Sequence, residues 1–174
     1  MNIYLLRHAH ALAVGEPGVE SDEERPLSDQ GRQQAALMAG AAQRLGLKFD
    51  QVLASPVRRA LETAQEFCRH LALPESALVT CGALEPGGSA KKLMKRLRSL
   101  EANDVVLVGH SPDLNEHAAY LIGDKRTELE IAKAGLAFVR CDAAPRKAAG
   151  ALVWLLTPDL VEALSGRRSR AAAS

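Results

Sequence analysis

Three short segments of the sequence place histidine, arginine and serine directly after apolar runs. They are Arg7-His8-Ala9-His10, Ser55-Pro56-Val57-Arg58-Arg59 and Gly109-His110-Ser111-Pro112. A neutral imidazole can attack phosphorus, and guanidinium groups bind phosphoryl oxygens through planar, multidentate hydrogen bonds. Each segment alone would most often be structural. Their joint occurrence predicts one site for a phosphoryl group.

The chemistry that these residue types support is nucleophilic phosphoryl transfer. We expect His8 to be the nucleophile, and Arg7 with an arginine of the Ser55 segment to bind the phosphoryl oxygens. The same positive charges disfavour the protonated imidazole, so they would keep His8 neutral. Ser55 and Ser111 each precede a proline, which predicts two helix starts with serine as the N-cap. Helix N-termini attract anions and would strengthen the site.

Apolar periodicity indicates the elements that carry these residues. Short apolar runs predict β-strands at residues 2–6, 51–54, 105–108, 136–140 and 152–156. Helical spacing predicts helices at residues 29–45, 57–71, 90–100 and 114–122, the first ended by Gly46 and the last by Gly123. This alternation predicts an α/β fold, a single-domain three-layer sandwich with a mostly parallel central sheet and helices on both faces. Ligands bind beyond the carboxyl ends of such strands, where all three segments lie.

Length and composition limit the organisation of the chain. It has 174 residues, 47% of them hydrophobic, which suits one domain with a sizeable core. We assign residues 1–164 to that domain and residues 165–174, rich in arginine and small residues, to a flexible C-terminal tail. Residues 14–25 are acidic and aperiodic, so they predict a loop after the first strand, in position for a lid or rim.

Charge and cysteine content argue against several kinds of partner. The formal net charge is +1 at pH 7, so neither nucleic acid nor membrane is the expected ligand, and the basic run at residues 91–98 is expected to form a solvated helix face. No apolar stretch is long enough to span a bilayer. Cys68, Cys81 and Cys141 lack the spacing of a zinc site or a disulfide framework, which predicts reduced thiols and a cytoplasmic protein. No Asp, Glu and His cluster has metal-ligand spacing, and no cofactor is expected.

The three segments resemble the motifs of the histidine phosphatase superfamily. That family is marked by Arg-His after the first strand, by Ser-Pro-x-x-Arg-Ala-x-x-Thr-Ala and by a later Gly-His. Here the second motif reads Ser-Pro-Val-Arg-Arg-Ala-Leu-Glu-Thr-Ala over residues 55–64. More narrowly, the chain is similar to the small SixA-type phosphohistidine phosphatases through residues 22–28, 84–88 and 133–137. One departure is Ala9, because many members have glycine after the nucleophilic histidine.

The resemblance implies a phosphoglycerate-mutase-like fold and assigns roles by position. By this resemblance His8 would accept the phosphoryl group and form a phosphohistidine intermediate. Arg7 and Arg59 would hold the phosphoryl oxygens, and His110 would donate a further hydrogen bond to them. The arginines and the second histidine would offset the phosphoryl charge by themselves, so the resemblance implies a phosphatase that needs no metal.

Three further residues receive more peripheral roles by the same resemblance. Arg25 would approach the pocket rim from the acidic loop, and Ser55 would bond a phosphoryl oxygen. Glu85 stands near the place where larger relatives carry a glutamate acid, but it lies on a short loop. Imidazole leaves a P–N bond more readily than an alkoxide leaves a P–O bond, so a weak acid favours phosphohistidine on a protein, for example a phosphotransfer protein, as substrate.

Three other interpretations stay open from the sequence. A broad phosphomonoesterase for small metabolites would share the pocket, and a non-catalytic module that binds phosphorylated ligands would share the arginines. A serine hydrolase is a weaker fit, because Pro112 follows Ser111 and has no N–H to offer an oxyanion. A shallow, open site without a large inserted cap favours a protein surface over a small molecule as the substrate.

Overall fold

One six-stranded β-sheet forms the centre of the protein, whose computed structural model describes residues 1–123 and 127–166. Its strands are β1 (Asn2–Arg7), β2 (Gln51–Ala54), β3 (Leu78–Thr80), β4 (Asp104–Gly109), β5 (Leu136–Cys141) and β6 (Gly150–Leu156). Their spatial order is β3-β2-β4-β1-β5-β6. The first four strands in this order are parallel, whereas β5 runs antiparallel to both of its neighbours.

Helices cover both faces of the sheet. In the described residues they are α1 (Asp29–Arg44), α2 (Arg58–His70), α3 (Ala90–Arg98), α4 (Asp113–Ile122) and α5 (Pro158–Leu164). On one face α1, α2 and α5 contribute Met38, Phe67 and Val161 to a buried cluster. On the other face α3 and α4 contribute Leu93 and Leu114 to a second cluster. The predicted α/β sandwich of three layers in a single domain is therefore confirmed.

Strand β1 shows how the sequence produces the two cores. Successive side chains of a strand point to opposite faces of the sheet. Tyr4 and Leu6 belong to the first cluster, whereas Ile3 and Leu5 belong to the second. Because both faces are buried, the strand is a continuous apolar run. It ends at Arg7, which places the first polar segment at the edge of the sheet.

Helix α1 is fixed against the segment that follows β1. Its N-cap is Ser28, whose Oγ accepts a hydrogen bond from the backbone N–H of Gly31 at 3.1 Å. A Cβ atom on Gly31 would overlap the carbonyl oxygen of His10, so only glycine allows this close approach. Gly46 and Gly123 follow α1 and α4 with φ of +68° and +140°, which confirms both predicted helix ends.

The predicted helix starts at Ser55 and Ser111 are wrong. Helix α2 begins at Arg58 and α4 begins at Asp113, and neither serine is the N-cap. A residue before proline is driven toward extended backbone. Ser55 accordingly continues the sheet, since its N–H donates to the carbonyl oxygen of Val108 at 2.9 Å. Helix α2, which carries Arg59, therefore begins at Arg58, one residue after its predicted start at residue 57, and its N-cap is Val57 and not Ser55.

One strand and one α-helix of the structure were not predicted. Strand β3 has 3 residues and α5 has 7, so both are too short for periodicity to reveal. Of the predicted tail at residues 165–174, only Ser165 and Gly166 belong to the described residues. None of the described helices combines the length and apolar character that crossing a bilayer requires.

Candidate active site

Three adjacent parallel strands bring the polar segments to one edge of the sheet. Strands β2, β4 and β1 lie side by side, and Arg7 at the end of β1 is in register with Gly109 at the end of β4. The N–H of His8 donates to the carbonyl oxygen of Gly109 at 2.9 Å. The ring centroids of His8 and His110 are therefore only 5.2 Å apart. Ser55 reaches the same edge from β2.

His8 is a buried imidazole with one defined hydrogen bond. The residue is 8% exposed, and its Nδ1 lies 2.8 Å from the carbonyl oxygen of Ala9. Burial lowers the pKa of His8 to about 3, with smaller contributions from the neighbouring histidine and arginines. A carbonyl oxygen only accepts, so Nδ1 carries the proton of the neutral ring and Nε2 keeps a free lone pair. The neutral state agrees with the sequence-based expectation, but its main cause is burial and not the arginines.

His110 is also buried, and Ser55 contacts it directly. The residue is 3% exposed, and its Nε2 lies 2.9 Å from Oγ of Ser55. Burial and then the charge of Arg59 lower the pKa of His110 to about 4. The Ser55 hydroxyl is fully buried and already accepts from the N–H of Val57 at 3.3 Å, and Nε2 of His110 is the acceptor that the described contacts offer its proton, so we assign the proton to that bond. The ring proton of His110 then sits on Nδ1, which is buried without a protein partner.

Arg59 enters the site from the first turn of α2. Its Nη1 donates to the carbonyl oxygen of Asp22 at 2.7 Å, and its Nη2 lies 3.1 Å from Oδ2 of the same residue. Its Nε is buried without a partner. The Oγ1 hydroxyl of Thr63 donates to the carbonyl oxygen of Arg59 at 2.6 Å and accepts from the N–H of Ala9 at 3.0 Å. Thr63 thereby joins the start of α2 to the backbone beside His8.

Arg7 is held by the segment that precedes β5. Its Nη1 donates to the carbonyl oxygen of Ile131 at 2.9 Å, while the N–H of Ile131 donates to Oδ1 of Asn115 at 3.2 Å. The hydroxyl of Ser111 donates to the same Asn115 oxygen at 3.2 Å. Ser111 therefore bonds an amide and not an imidazole, which does not fit the nucleophile of a serine hydrolase. The Nε of Arg7 is buried without a partner.

The acidic loop predicted after the first strand lies at the edge of this site. A bridge between Ala11 and Leu27 closes its base, and no helix or strand interrupts residues 14–25, as predicted. Nη1 of Arg25 bonds Oδ1 of Asp22 at 2.9 Å, and Asp22 in turn bonds Arg59. The structure therefore connects Arg25 to the site through Asp22.

Glu85 is exposed on the loop that follows a short 3-10 helix. This loop is tied to the start of α4, because Oδ2 of Asp113 accepts from the N–H of Gly87 at 3.1 Å. Burial lowers the pKa of His110, and the negative charges of Asp113 and Asp22 partly oppose that effect. The role of Glu85 as an acid stays a prediction.

Three residues that hold the site side chains or backbone in place have no role predicted from the sequence: Asp22, Thr63 and Asn115. Asp22 stands in an i, i+3 relation to Arg25, and this spacing in an acidic loop was the signal that could have paired them. Thr63 follows Arg59 by one helical turn, so the two belong to the same helix face. Asn115 left no signal, because its partner Ile131 is distant in the sequence and belongs to no regular element.

The site presents three buried nitrogen groups without protein partners: Nε of Arg7, Nε of Arg59 and Nδ1 of His110. An unsatisfied buried donor costs about 1–3 kcal/mol, so an anion that accepts from all three would be favoured. The same site contains a neutral imidazole with a free Nε2 on His8. A nucleophile of this kind, together with donors for the phosphoryl oxygens, is what nucleophilic attack on a phosphoryl group requires. Among the residues that the structure describes, no group of three or more His, Cys, Asp and Glu side chains could hold a metal ion.

The two site histidines also predict how stability depends on pH. Burial holds their pKa values below the ordinary 6.5, at about 3 for His8 and about 4 for His110, so below pH 6.5 the unfolded chain binds protons that the folded chain does not. We expect the free energy of unfolding to fall as the pH drops from 6.5 toward about 4, by at most about 1.4 kcal/mol per pH unit for each histidine. Above pH 6.5 neither histidine should contribute to the pH dependence.

Urea titrations at about pH 7 and about pH 5 measure this effect. The His110→Asn variant should lose less stability on acidification than the wild type, because it lacks one of the histidines whose pKa burial lowers; His8 and His117 remain. The matched control is Ser89→Ala, which changes an exposed side chain that does not titrate and should keep the wild-type slope. Equal slopes for the wild type and His110→Asn would contradict the proposed neutral burial.

Known proteins share this arrangement of elements. Residues 3–78 match the family model of the histidine phosphatase superfamily (branch 1). The chain is also 34% identical over 148 residues to an uncharacterized protein of Picosynechococcus sp. (strain ATCC 27264 / PCC 7002 / PR-6), an alignment that covers 83% of this chain and 87% of that protein. The sequence similarity therefore extends well beyond the segment that the family model matches.

Solved structures agree with this relationship. The protein histidine phosphatase SixA complexed with tungstate superposes with a TM-score of 0.80 at 25% identity, covering 91% of this chain and 98% of that chain. The ecdysone phosphate phosphatase of Bombix mori in complex with tungstate shares the fold, with a TM-score of 0.63 at 16% identity over 90% of this chain and 92% of that chain. The family-model match, the superposition and the residues gathered at the sheet edge together lead to one conclusion: the chain belongs to the histidine phosphatase superfamily and is a phosphatase.

Proposed function

We propose that the protein removes the phosphoryl group from phosphohistidine on a partner protein, without a metal ion and through a phosphorylated His8. One observation carries this proposal: the neutral His8, with a free lone pair on Nε2, lies beside three buried nitrogen donors that lack protein partners. An incoming phosphoryl group would satisfy the donors and meet the nucleophile at the same time. The structural similarity to the protein histidine phosphatase SixA supports this choice of substrate.

The reaction consists of two displacements at phosphorus. In the first, Nε2 of His8 forms a P–N bond while the P–N bond to the substrate imidazole breaks, and the departing imidazole takes up a proton from solvent water. Arg7 and Arg59 neutralise the phosphoryl oxygens through their Nε groups, and His110 donates from Nδ1. In the second, a water molecule attacks phosphorus, His8 regains its lone pair, and orthophosphate leaves.

The substrate follows from how easily the leaving group departs. An alkoxide requires a proton donor at the moment of bond breaking, whereas an imidazole needs less help. Glu85, the acid that the family resemblance suggests, is exposed on a surface loop, and none of the described hydrogen bonds or ion pairs joins its side chain to the site residues. This favours a P–N bond over a P–O bond as the scissile bond. A partner protein that carries phosphohistidine, such as a phosphotransfer protein, is the expected substrate.

The cellular setting that we propose is the cytoplasm. Cys68, Cys81 and Cys141 are buried free thiols, which suits a reducing compartment. Residues 1–164 would constitute the catalytic domain.

A substrate comparison in the presence of chelator tests the proposal. Purified protein is incubated with a phosphohistidine-bearing phosphotransfer protein and, separately, with an alkyl phosphate of a small metabolite, and released orthophosphate is measured. We expect rapid release from phosphohistidine and slow release from the ester. Faster ester hydrolysis would point to a phosphomonoesterase of small molecules. Binding of both substrates without release would point to a module that recognises phosphorylated ligands.

Ser55 is expected to act through His110. Replacing Ser55 by alanine removes the hydroxyl that fixes the tautomer of His110, so Nδ1 would no longer be held as the donor. We expect kcat/KM to fall about tenfold, roughly 1.4 kcal/mol for one lost hydrogen bond. The tautomer of His110 can be followed by the nitrogen chemical shifts of its ring. Ser89→Ala, at an exposed position before α3, is the control. An unchanged tautomer and rate in Ser55→Ala would refute this role.

A further inference from the structure

We propose that Asp22 is a positioning residue. It orients the guanidinium of Arg59 so that the N–H groups that do not bond Asp22 point toward the phosphoryl group. The inference rests on the proposed function, because it concerns how the same pocket holds its phosphoryl group. Asp22 belongs to the acidic loop at residues 14–25, and it makes two contacts with a guanidinium that is otherwise enclosed. Its backbone carbonyl accepts from Nη1 of Arg59 at 2.7 Å, and its Oδ2 lies 3.1 Å from Nη2.

These two contacts divide the guanidinium into an occupied edge and a free edge. A guanidinium presents five N–H donors in a planar fork, so a bidentate acceptor uses only one edge. Asp22 takes the Nη1 and Nη2 edge, and Nε is left buried without a partner. The edge formed by Nε and the second N–H of Nη2 remains for two phosphoryl oxygens. Without Asp22, nothing else in the described contacts of Arg59 would fix the rotation of this group about its long side chain.

Asp22 is itself held in place by its own loop. Its Oδ1 bonds Nη1 of Arg25 at 2.9 Å, and Nε of Arg25 donates to the carbonyl oxygen of Leu12 at 2.6 Å. The base of the loop is pinned to α2, because the N–H of Leu27 donates to Oε2 of Glu62 at 2.8 Å. One carboxylate therefore bridges the loop arginine and the buried site arginine. Hydrogen bonding from Arg25 lowers the pKa of Asp22, so the bridge stays ionised at neutral pH.

A purely structural role is a poor explanation for this bridge. The Asp22 side chain is 60% exposed, whereas that of Arg59 is 8% exposed. Ion pairs with an exposed partner typically add little to the free energy of unfolding. The carboxylate also places a negative charge beside a pocket for an anion, which weakens phosphate binding in the ground state. Orientation of Arg59 for the transition state is the benefit that would offset this cost.

The proposal predicts a split between kcat and KM. In Asp22→Ala, kcat should fall about tenfold or more, because a misdirected guanidinium no longer meets the transition state. KM for the substrate and the dissociation constant for orthophosphate should stay the same or decrease, because a nearby negative charge is gone. Both variants keep the contact from Nη1 of Arg59 to the main-chain carbonyl, but only Asp22→Asn keeps a side-chain acceptor oxygen for Nη2, so it should recover much of kcat. Glu23→Ala removes the same charge from the neighbouring exposed position and should leave kcat unchanged.

The experiment measures kcat and KM with phosphohistidine protein and with para-nitrophenyl phosphate, and orthophosphate affinity by calorimetry. The Nε–H resonance of Arg59 is recorded for each variant as a readout that needs no turnover. A sharp Arg59 resonance in the wild type and Asp22→Asn, lost in Asp22→Ala, is the expected result. A resonance unchanged in Asp22→Ala, or equal kinetics for Asp22→Ala and Glu23→Ala, would overturn the positioning role. Failure of the wild type to hydrolyse either probe would reject the proposed function instead, and the resonance would still decide the role of Asp22.

Discussion

Replacement of His8 by alanine is expected to lower kcat by about 10⁴-fold or more and to eliminate the phosphorylated enzyme, because covalent catalysis loses its nucleophile. The other imidazole of the site cannot substitute, since Nε2 of His110 contacts Ser55 at 2.9 Å. Rapid mixing with phosphohistidine protein labelled with radioactive phosphate measures the enzyme-bound label directly. The label should be stable in alkali and labile in acid, as a phosphoramidate is. Binding of orthophosphate should survive the substitution, because both arginines are intact.

The control for this prediction is His10→Ala. His10 follows the nucleophile closely in the sequence, but its Nδ1 is bonded to Oγ of Ser28 at 2.8 Å and its role is to hold the first turn of α1. Its loss should leave the enzyme-bound label in place and change kcat little. If His8→Ala still carried the enzyme-bound label and His10→Ala did not, the nucleophile would be His10 and not His8. Turnover by His8→Ala without any bound label would instead indicate direct attack by water.

The architecture was accessible from the sequence because most of its elements are long or continuously apolar. Strand β1 and strand β4 are buried on both faces, so each contains an uninterrupted hydrophobic run; β1 ends at Arg7, and β4 ends at Gly109 just before His110. The elements that were not predicted, β3 and α5, are short and are stabilised by tertiary contacts. Strand β3 has 3 residues and pairs only with β2, and its conformation is dictated by the partner strand. Periodicity within a window cannot detect such a dependence.

Only part of the site could be predicted from the sequence, because some of its residues are positioned by the sheet and others by contacts of an irregular loop. His8 and His110 follow the ends of adjacent parallel strands, and sheet geometry alone predicts that such residues meet. The predicted N-cap at Ser55 is wrong because the N–H of Ser55 pairs with Val108 of the neighbouring strand, and the Ser-Pro pair carries no sign of that long-range contact. Asp22 reaches Arg59 across 37 positions of sequence through an irregular loop, and loop conformation has no periodic signal. The reacting groups, such as His8 and His110, could therefore be predicted from the sequence more readily than Asp22, which orients Arg59.

Substitution of Arg59 by lysine is the second change with a large expected effect. Lysine keeps the charge, but its single nitrogen has three N–H donors, too few for the two acceptors of Asp22 and two phosphoryl oxygens that the five donors of a planar guanidinium can meet. We expect kcat/KM to fall about 10²- to 10³-fold, the size of about 2.7–4 kcal/mol that removal of one transition-state donor typically costs. Steady-state kinetics with phosphohistidine protein measure the loss. Most of it should appear in kcat, because the retained charge still attracts the phosphoryl group in the ground state.

The adjacent residue provides a matched control, since Arg58 and Arg59 carry the same side chain on the same helical turn. Arg58 lies outside the buried site: its Nε bonds Oε1 of Glu62 at 2.8 Å, its Nη1 donates to the carbonyl oxygen of Glu24 in the acidic loop at 3.2 Å, and its side chain is 51% exposed. Arg58→Lys should therefore change kcat/KM by less than about twofold, as expected for an exposed ion pair. Equal losses in the two variants would mean that charge near the start of α2, and not a directed guanidinium, assists the reaction. A loss confined to Arg59→Lys would show that the geometry of the fork is what the transition state requires, which is also what the bridge from Asp22 preserves.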